Sequence, residues 1–338
     1  MNRVKGPIVT AIIKLPEIKQ SLTSIDLIQA MEQGFIQYSN GNTVVPPVAE
    51  LLFDEPKGDT HIKYGYIKND DYYVIKIASG FYQNPQLGLA SSQGLMLLFD
   101  QKTGVPCAVL LDEGYLTDIR TAAAGALVAK YFAPKQLKAV GIIGTGIQAR
   151  QQLLQLQALY QTSDHGSGQG LCKELWIWGR NDQSAQTLAS EFSDSFDVKI
   201  AQSPAQVAAH ANLIVTTTPS EIALLNAADI QAGTHITAVG ADTEQKQELD
   251  SKILTKADIV ISDSIAQSKS RGEIYQALKV GAIDDRKVIE LGTAIQDSSL
   301  MRVNDQQITV ADLTGVAVQD IMVANAVYQH YLKTNNGS

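Results

Sequence analysis

The residues most able to do chemistry begin at Gly144-Thr145-Gly146-Ile147-Gln148-Ala149. An apolar run of strand length precedes this stretch and a helix-like segment follows, which is the setting that a G-x-G-x-x-G/A pattern needs. Gly144 permits a tight turn, Gly146 lets the backbone approach a pyrophosphate, and Ala149 is small enough for close helix–strand packing. The helix N-terminus adds free N–H donors for the anion. The pattern therefore predicts a dinucleotide site, against the alternative of a chance glycine-rich turn. In an NAD site a carboxylate at the end of the second strand takes the ribose 2′-OH. Here the candidate strand Glu174–Trp178 runs instead into Gly179-Arg180-Asn181, and Arg180 could pair with a 2′-phosphate. NADP(H) is thus favoured and NAD(H) is the second choice, with an exposed, ligand-free arginine as the bland alternative. Asp182 reads as the cap of the next helix. The polar insertion at 163–170 accounts for the long spacing between glycines and strand end.

A second set of residues could hold an anion. If Asn69-Asp70 turns a hairpin, Lys63 lies opposite Lys76 on one sheet face, and facing like charges are unfavourable unless an anion is shared. A solvated face is the alternative. His61 shares that face and could titrate near neutrality. Arg120 opens an alanine-rich helix and carries the planar fork suited to a carboxylate; a salt bridge to Asp118 or Asp112 is its other reading. Asp242 follows the candidate strand His235–Val239, where ligands of a parallel sheet collect. A carboxylate there suits a protonated amine or iminium, and a helix N-cap is its alternative.

Several elements must position these groups. Apolar residues at helical spacing predict a helix over 24–38 with Ser24 as its cap. Strand-like runs at 61–67, 72–78, 94–100 and 107–112 predict an antiparallel sheet with helices packed on it. From residue 122 strand and helix alternate, and six strands, including Asp197–Ile200, Leu213–Thr216 and Asp258–Ser262, predict a doubly wound parallel sheet. The apolar-periodic tail 315–328 is expected to return to the first domain. The expected fold class is α/β: a Rossmann domain over 122–314 plus a discontinuous α+β substrate-binding and dimerisation domain over 1–121 and 315–338.

Composition narrows the function classes. A hydrophobic share of 45% with 18% charged residues describes an ordinary globular chain. The net charge of −8, with no dense Lys/Arg run, argues against nucleic-acid or anionic-membrane surfaces. Cys107 and Cys172 are far apart and read as buried hydrophobes. No Cys/His cluster has metal spacing, so no metal is expected, and no hydrolase elbow or P-loop occurs. Without a signal-peptide core or membrane-length apolar run the expected location is cytoplasmic.

Taken in order, Val74–Phe81, Leu111–Ala122, Ile143–Ala149, Val239–Asp242 and Ala311–Asp320 resemble the ornithine cyclodeaminase/mu-crystallin family over almost the whole chain. The resemblance implies a homodimer joined through the non-Rossmann domain, with nicotinamide chemistry on amino or imino acids. Carried over by position, Lys76 and Arg120 hold the substrate carboxylate and Asp242 contacts the substrate nitrogen. Gly144, Gly146 and Gln148 hold the pyrophosphate, assisted by Thr121. Many members have an arginine just after the prolines at 46–47, where this chain has Val48-Ala49-Glu50; Lys63 is the candidate replacement. Arg180 and the Asp312-Leu-Thr-Gly315 ending point to the imine-reducing branches. The leading expectation is NADPH reduction of Δ1-pyrroline-2-carboxylate to L-proline, and of Δ1-piperideine-2-carboxylate to L-pipecolate. The alternatives are an L-ornithine cyclodeaminase, an alanine- or iminosuccinate-type reductase, and a non-catalytic NADPH-binding crystallin-like protein.

Overall fold

A computed structural model describes residues 10–81, 83–161 and 172–335; the insertion at 163–170 lies outside the described residues. The chain divides into two compact units, one running to Arg120 and resuming at Val316, the other spanning Thr121–Gly315. The first stretch carries β1 (Ala11–Lys14), α1 (Leu15–Leu22), α2 (Leu27–Ser39), β2 (Thr43–Val44), β3 (Ala49–Phe53), β4 (Gly58–Ile67), β5 (Tyr72–Phe81), β6 (Ser92–Asp100) and β7 (Pro106–Leu111). Helix α3 (Tyr115–Phe132) contains the boundary between the units. The second unit continues with β8 (Val140–Ile143), α4 (Ile147–Gln161), β9 (Glu174–Trp178), α5 (Asp182–Phe192), β10 (Asp197–Ile200), α6 (Pro204–His210), β11 (Leu213–Thr216) and β12 (His235–Ala238). It ends with α7 (Ser251–Lys256), β13 (Ile259–Ser262), α8 (Gly272–Lys279), β14 (Val288–Glu290), α9 (Leu291–Gln296) and β15 (Thr309–Asp312), after which α10 (Ala317–Asn335) belongs to the first unit.

In the first unit the strand order is β1-β7-β6-β5-β4-β2, with β3 also pairing β4. The sheet is mixed rather than purely antiparallel, because β1 pairs parallel with β7. Helices α1 and α2 follow β1 and supply the kind of crossover that a parallel pair needs and a hairpin cannot give. The β4–β5 hairpin turns through Ile67–Asp70, where the Asp70 N–H donates to the Ile67 carbonyl at 3.1 Å and Asn69 takes a left-handed φ of +67°. Asn tolerates that conformation better than most residues. The loop between the strands spans 68–71, longer than a two-residue turn, yet its register still sets Lys63 opposite Lys76.

Helix α2 starts two residues later than the expected cap implies. Asp26, not Ser24, accepts the Gln29 N–H at 2.9 Å as the cap, while the Ser24 hydroxyl donates to the Ser21 carbonyl. Helix α10 packs on β4, β5 and α2. It buries Val318, Ile321, Val323 and Ala324 together with two polar residues, Gln319 and Asp320. Gly34 of α2 makes that approach possible, since a Cβ there would fall 2.7 Å from Cγ of Met322.

The second unit is a Rossmann-type doubly wound parallel sheet of order β10-β9-β8-β11-β12-β15-β13-β14. It has eight strands among the described residues where six were expected. The added pair are β14, three residues long, and β15, whose Thr-Val-Ala-Asp sequence carries too few aliphatics to announce a strand. β15 enters between β12 and β13 and is wholly buried, as are β8, β11, β12 and β13. Burial on both faces is what a helix-covered parallel sheet imposes. Winding reverses between β8 and β11, which opens the ligand crevice at the carboxyl ends of those strands.

Candidate active site

The glycine turn sits in that crevice. Gly144 ends β8 with φ +120°, a conformation that side chains rarely adopt, and an added Cβ would strike the Thr217 side chain. Its N–H donates to the Trp178 carbonyl at 2.8 Å, and the Thr217 N–H donates to the Ile143 carbonyl at 2.8 Å. The turn is thereby tied to β9 and to the end of β11. An added Cβ on Gly146 would meet nothing within 4 Å, so the backbone there faces open space at the start of α4. Gly179 packs on Thr145, whose Cγ2 would lie 2.5 Å from a Cβ at that position.

A cleft of about 260 Å³ opens here, lined by Gly144–Gly146, residues 178–181, residues 217–220 and Leu224. Of the sequence candidates, Gly144, Thr145, Gly146, Arg180 and Asn181 line it, whereas Gln148 and Thr121 do not. The Thr121 carbonyl accepts from Gln152 Nε2 at 3.3 Å. Asn181 also caps α5 by accepting the Ser184 N–H, the role expected of Asp182, which is instead the first helical residue. No lining residue is a carboxylate. The positive-φ glycine, the open backbone at Gly146 and the helix start fit a pyrophosphate. The Thr-Thr-Pro-Ser wall after β11 went unrecognised in the sequence, although a polar turn behind an apolar strand was its signal.

The anion-binding candidates gather in the first unit around a residue that sequence reasoning did not single out. Lys63 and Lys76 are buried, 6% and 2% exposed, which removes the solvated-face alternative. Arg120 is also buried and pairs with neither Asp118 nor Asp112. Its partner is Asp320 of α10: Arg120 Nε lies 3.0 Å from Oδ1 and Lys76 Nζ lies 3.1 Å from Oδ2. Arg120 Nη1 also donates to Gln319 Oε1 at 2.8 Å, and the Val316 N–H donates to the same oxygen. Nothing local links α10 to β5, so the only hint of this pairing was an acid set in an apolar helix.

Burial would raise the Asp320 carboxyl, but Arg120, Lys76 and Lys63 outweigh it and hold the group below the usual carboxylate range. Burial and the neighbouring Arg120 lower Lys76 to about 7, against the opposing pull of Asp320. Asp112, buried at the entry to α3, accepts the Leu116 N–H at 2.8 Å, and burial raises its carboxyl above the ordinary value. Lys76 and Arg120 thus share one ionised carboxylate, on which Lys63 also acts electrostatically. His61 lies across from Glu50, with Nε2 3.7 Å from the carboxylate.

In the second unit Asp242 follows β12 and starts no helix, which sets aside the N-cap alternative. Its Oδ1 accepts from Lys246 Nζ at 2.6 Å and its carbonyl accepts from Arg271 Nη1 at 3.3 Å. Behind it lie buried acids that the sequence did not flag: Glu248, Glu273, Asp312 and Asp263. Burial raises Glu248 to about 7. Burial, then Asp312 and Glu248, raise Glu273 well above the ordinary range. Asp312 rises to about 8 through burial and the nearby Asp263. Its Oδ2 accepts the Ile274 N–H at 2.8 Å, while Asp263 accepts the Thr314 hydroxyl and the Gly315 N–H.

With this geometry in hand, a family model described as the ornithine cyclodeaminase/mu-crystallin family matches residues 8–335. The chain belongs to that family. It is 36% identical, over 93% of each chain, to an uncharacterized cyclodeaminase of Sinorhizobium fredii. It is 36% identical, over 97% of each, to the alanine dehydrogenase of Archaeoglobus fulgidus. The solved Δ1-pyrroline-2-carboxylate reductase of Thermococcus litoralis, in complex with NADH and L-proline, superposes with a TM-score of 0.87 at 25% identity, covering 96% of this chain and 98% of the other. By that membership the chain is a nicotinamide-dependent imine oxidoreductase.

Two expected outcomes follow from the charges. Asp320→Asn leaves buried Lys76 and Arg120 without their shared carboxylate, and such a loss destabilises by about 3–5 kcal/mol. Chemical denaturation should show this, with Lys76→Met in the same background restoring part of it; equal stability of wild type and Asp320→Asn would refute the pairing. Asp312 holds a proton when folded that the unfolded chain releases, because its folded pKa of about 8 exceeds the ordinary 3.8. Its stabilising contribution is therefore full below the ordinary value and is lost as pH rises through about 8. The unfolding free energy of Asp312→Asn minus that of wild type should climb across this window, by up to about 1.4 kcal/mol per pH unit. A difference independent of pH would show that Asp312 is ionised throughout.

Proposed function

We propose that this imine oxidoreductase uses NADPH to reduce a 2-imino acid, with Δ1-pyrroline-2-carboxylate to L-proline as the leading reaction and Δ1-piperideine-2-carboxylate as a second substrate. The observation that carries this reading is the buried pair Lys76 and Arg120 on the single carboxylate of Asp320, with Lys63 facing Lys76, a cationic group that suits an incoming carboxylate. The relative from Thermococcus, solved with L-proline, supports the cyclic product. Arg180 at the cleft, with no carboxylate in the lining, supports NADPH, although that relative holds NADH.

In this mechanism Arg120 and Lys76 bind and orient the substrate carboxylate, with Lys63 and His61 adding binding groups on the same strand face. Orientation of the carboxylate fixes the neighbouring C=N carbon, the main contribution a protein can make to such a step. Asp242 is assigned the cationic nitrogen, whose positive charge makes the adjacent carbon a hydride acceptor. Lys76, lowered to about 7, can give up or hold a proton near neutrality and so manage the nitrogen proton. When bound at the Gly144–Gly146 turn the reduced nicotinamide supplies the hydride.

A second reading, reduction of an open-chain 2-imino acid, is favoured by the 36% identity to an alanine dehydrogenase. Absorbance of the reduced nicotinamide should fall with Δ1-pyrroline-2-carboxylate, faster with NADPH than with NADH. Faster oxidation with pyruvate and ammonium would replace the cyclic substrate by the open-chain one. Ammonia released from L-ornithine with catalytic NAD⁺ would make the chain a cyclodeaminase instead. Lys76→Ala should lower kcat at least about 100-fold with NADPH binding retained, and Arg180→Ala should erase the preference for NADPH. Unchanged turnover of the first, or unchanged preference of the second, would remove that residue from its role.

A further inference from the structure

Glu248 takes no part in the chemistry above, yet it touches both ends of the cleft wall. It is fully buried and lies in the irregular segment between β12 and α7. Its Oε1 accepts from the Thr218 N–H at 2.6 Å and the Thr218 hydroxyl at 2.8 Å. Its Oε2 accepts from the Thr216 hydroxyl and the Gly240 N–H, both at 2.8 Å. The main chain continues the pattern, for the Glu248 carbonyl accepts the Leu224 N–H at 2.7 Å and the Gln247 N–H donates to the Ser220 carbonyl at 2.7 Å. Thr218, Ser220 and Leu224 all line the dinucleotide cleft. Gly240 begins the turn that carries Asp242, and a Cβ there would fall 2.6 Å from Glu248 Oε2 and 2.5 Å from the Thr218 nitrogen. Glycine at 240 is what lets the three groups converge.

We propose that Glu248 is a positioning residue for the cofactor: as a carboxylate it clamps the end of β11 to the end of β12 and holds the Thr217–Leu224 wall in its dinucleotide-binding form. The proposal rests on the dinucleotide reading of the cleft. Its force lies in the donor set. Each oxygen takes one backbone N–H, and a backbone N–H cannot turn round to accept, whereas the two threonine hydroxyls can. Only an acceptor at both oxygens satisfies Thr218 and Gly240 together. The isosteric Glu248→Gln must aim an amide N–H at one of them.

The titratable groups facing Glu248 are Glu273 of α8, which accepts the Glu248 N–H at 2.6 Å, and Asp312 of β15. Among the described residues neither hydrogen-bonds to the cleft wall, so the link between the two strand ends runs through Glu248.

Calorimetric titration of the whole protein with NAD⁺ and with NADPH tests this. Glu248→Gln should raise both dissociation constants at least roughly tenfold, the loss expected when a buried donor goes unpaired. Binding by folded Glu248→Gln within about twofold of wild type would overturn the role of Glu248 alone. If that variant does not fold, Thr216→Val decides: it removes one donor to Glu248 Oε2 from outside the cleft lining, it should weaken both nucleotides, and unchanged binding would overturn the proposal. Wild-type protein that binds neither nucleotide would overturn the reading of the cleft, and the clamp with it.

Discussion

The first unit depends on one buried carboxylate. Asp320 of α10 holds Lys76 of β5 and Arg120 of α3, all three buried where water cannot solvate them. Charged groups removed from water need partners, or they neutralise. Lys76 does some of both, remaining 3.1 Å from Asp320 while its pKa falls to about 7. The demand reaches back into the architecture: β4 and β5 must pair in the register that sets Lys63 against Lys76, and α10 must lie on them with Gln319 and Asp320 turned inward. Gly34 lets α2 and α10 come close enough for that.

The second unit is built differently. Its buried ionisable groups are mainly carboxyls, and hydrogen bonds from backbone N–H and threonine groups do much of what cations would otherwise do. In the first unit one buried acid holds cationic side chains of β5 and α3. A buried acid cluster satisfied by backbone donors is a brace, because the donors belong to the strands and turns that it joins. Glu248 and Asp263 each tie a strand end to a loop in this way, at Thr218 and Gly240 in one case and at Thr314 and Gly315 in the other.

Much of the fold was legible because its signals are local. Val140–Ile143 followed by Gly144, Gly146 and Ala149 is a covalent neighbourhood, and the tight turn at Gly144 needs glycine whatever surrounds it. The same holds for strands such as Leu213–Thr216, whose β-branched run matches burial on both faces. The Lys63–Lys76 pairing could be read because a short hairpin fixes its own register. Asp320 could not be read in the same way, since its partners on β5 and α3 are far off in sequence and a single acid in an apolar helix has many explanations. Glu248 was hidden for a different reason: its segment has no periodicity, so nothing announced its burial. β15 was missed because a strand flanked on both sides by others needs few large aliphatics of its own. The cap of α2 moved from Ser24 to Asp26 because two good capping residues stood close together and packing chose between them.

The central question for this enzyme is whether Lys76 and Arg120 hold a substrate carboxylate. Calorimetric titration with L-proline and with L-prolinamide, each in the presence of NADP⁺, isolates that contact, since the two ligands share their ring and differ at the carboxylate. Saturable binding of L-proline with little or none of L-prolinamide, lost in Arg120→Ala, is the predicted result. Equal binding of the two, or L-proline binding that survives in a folded Arg120→Ala protein, would contradict it.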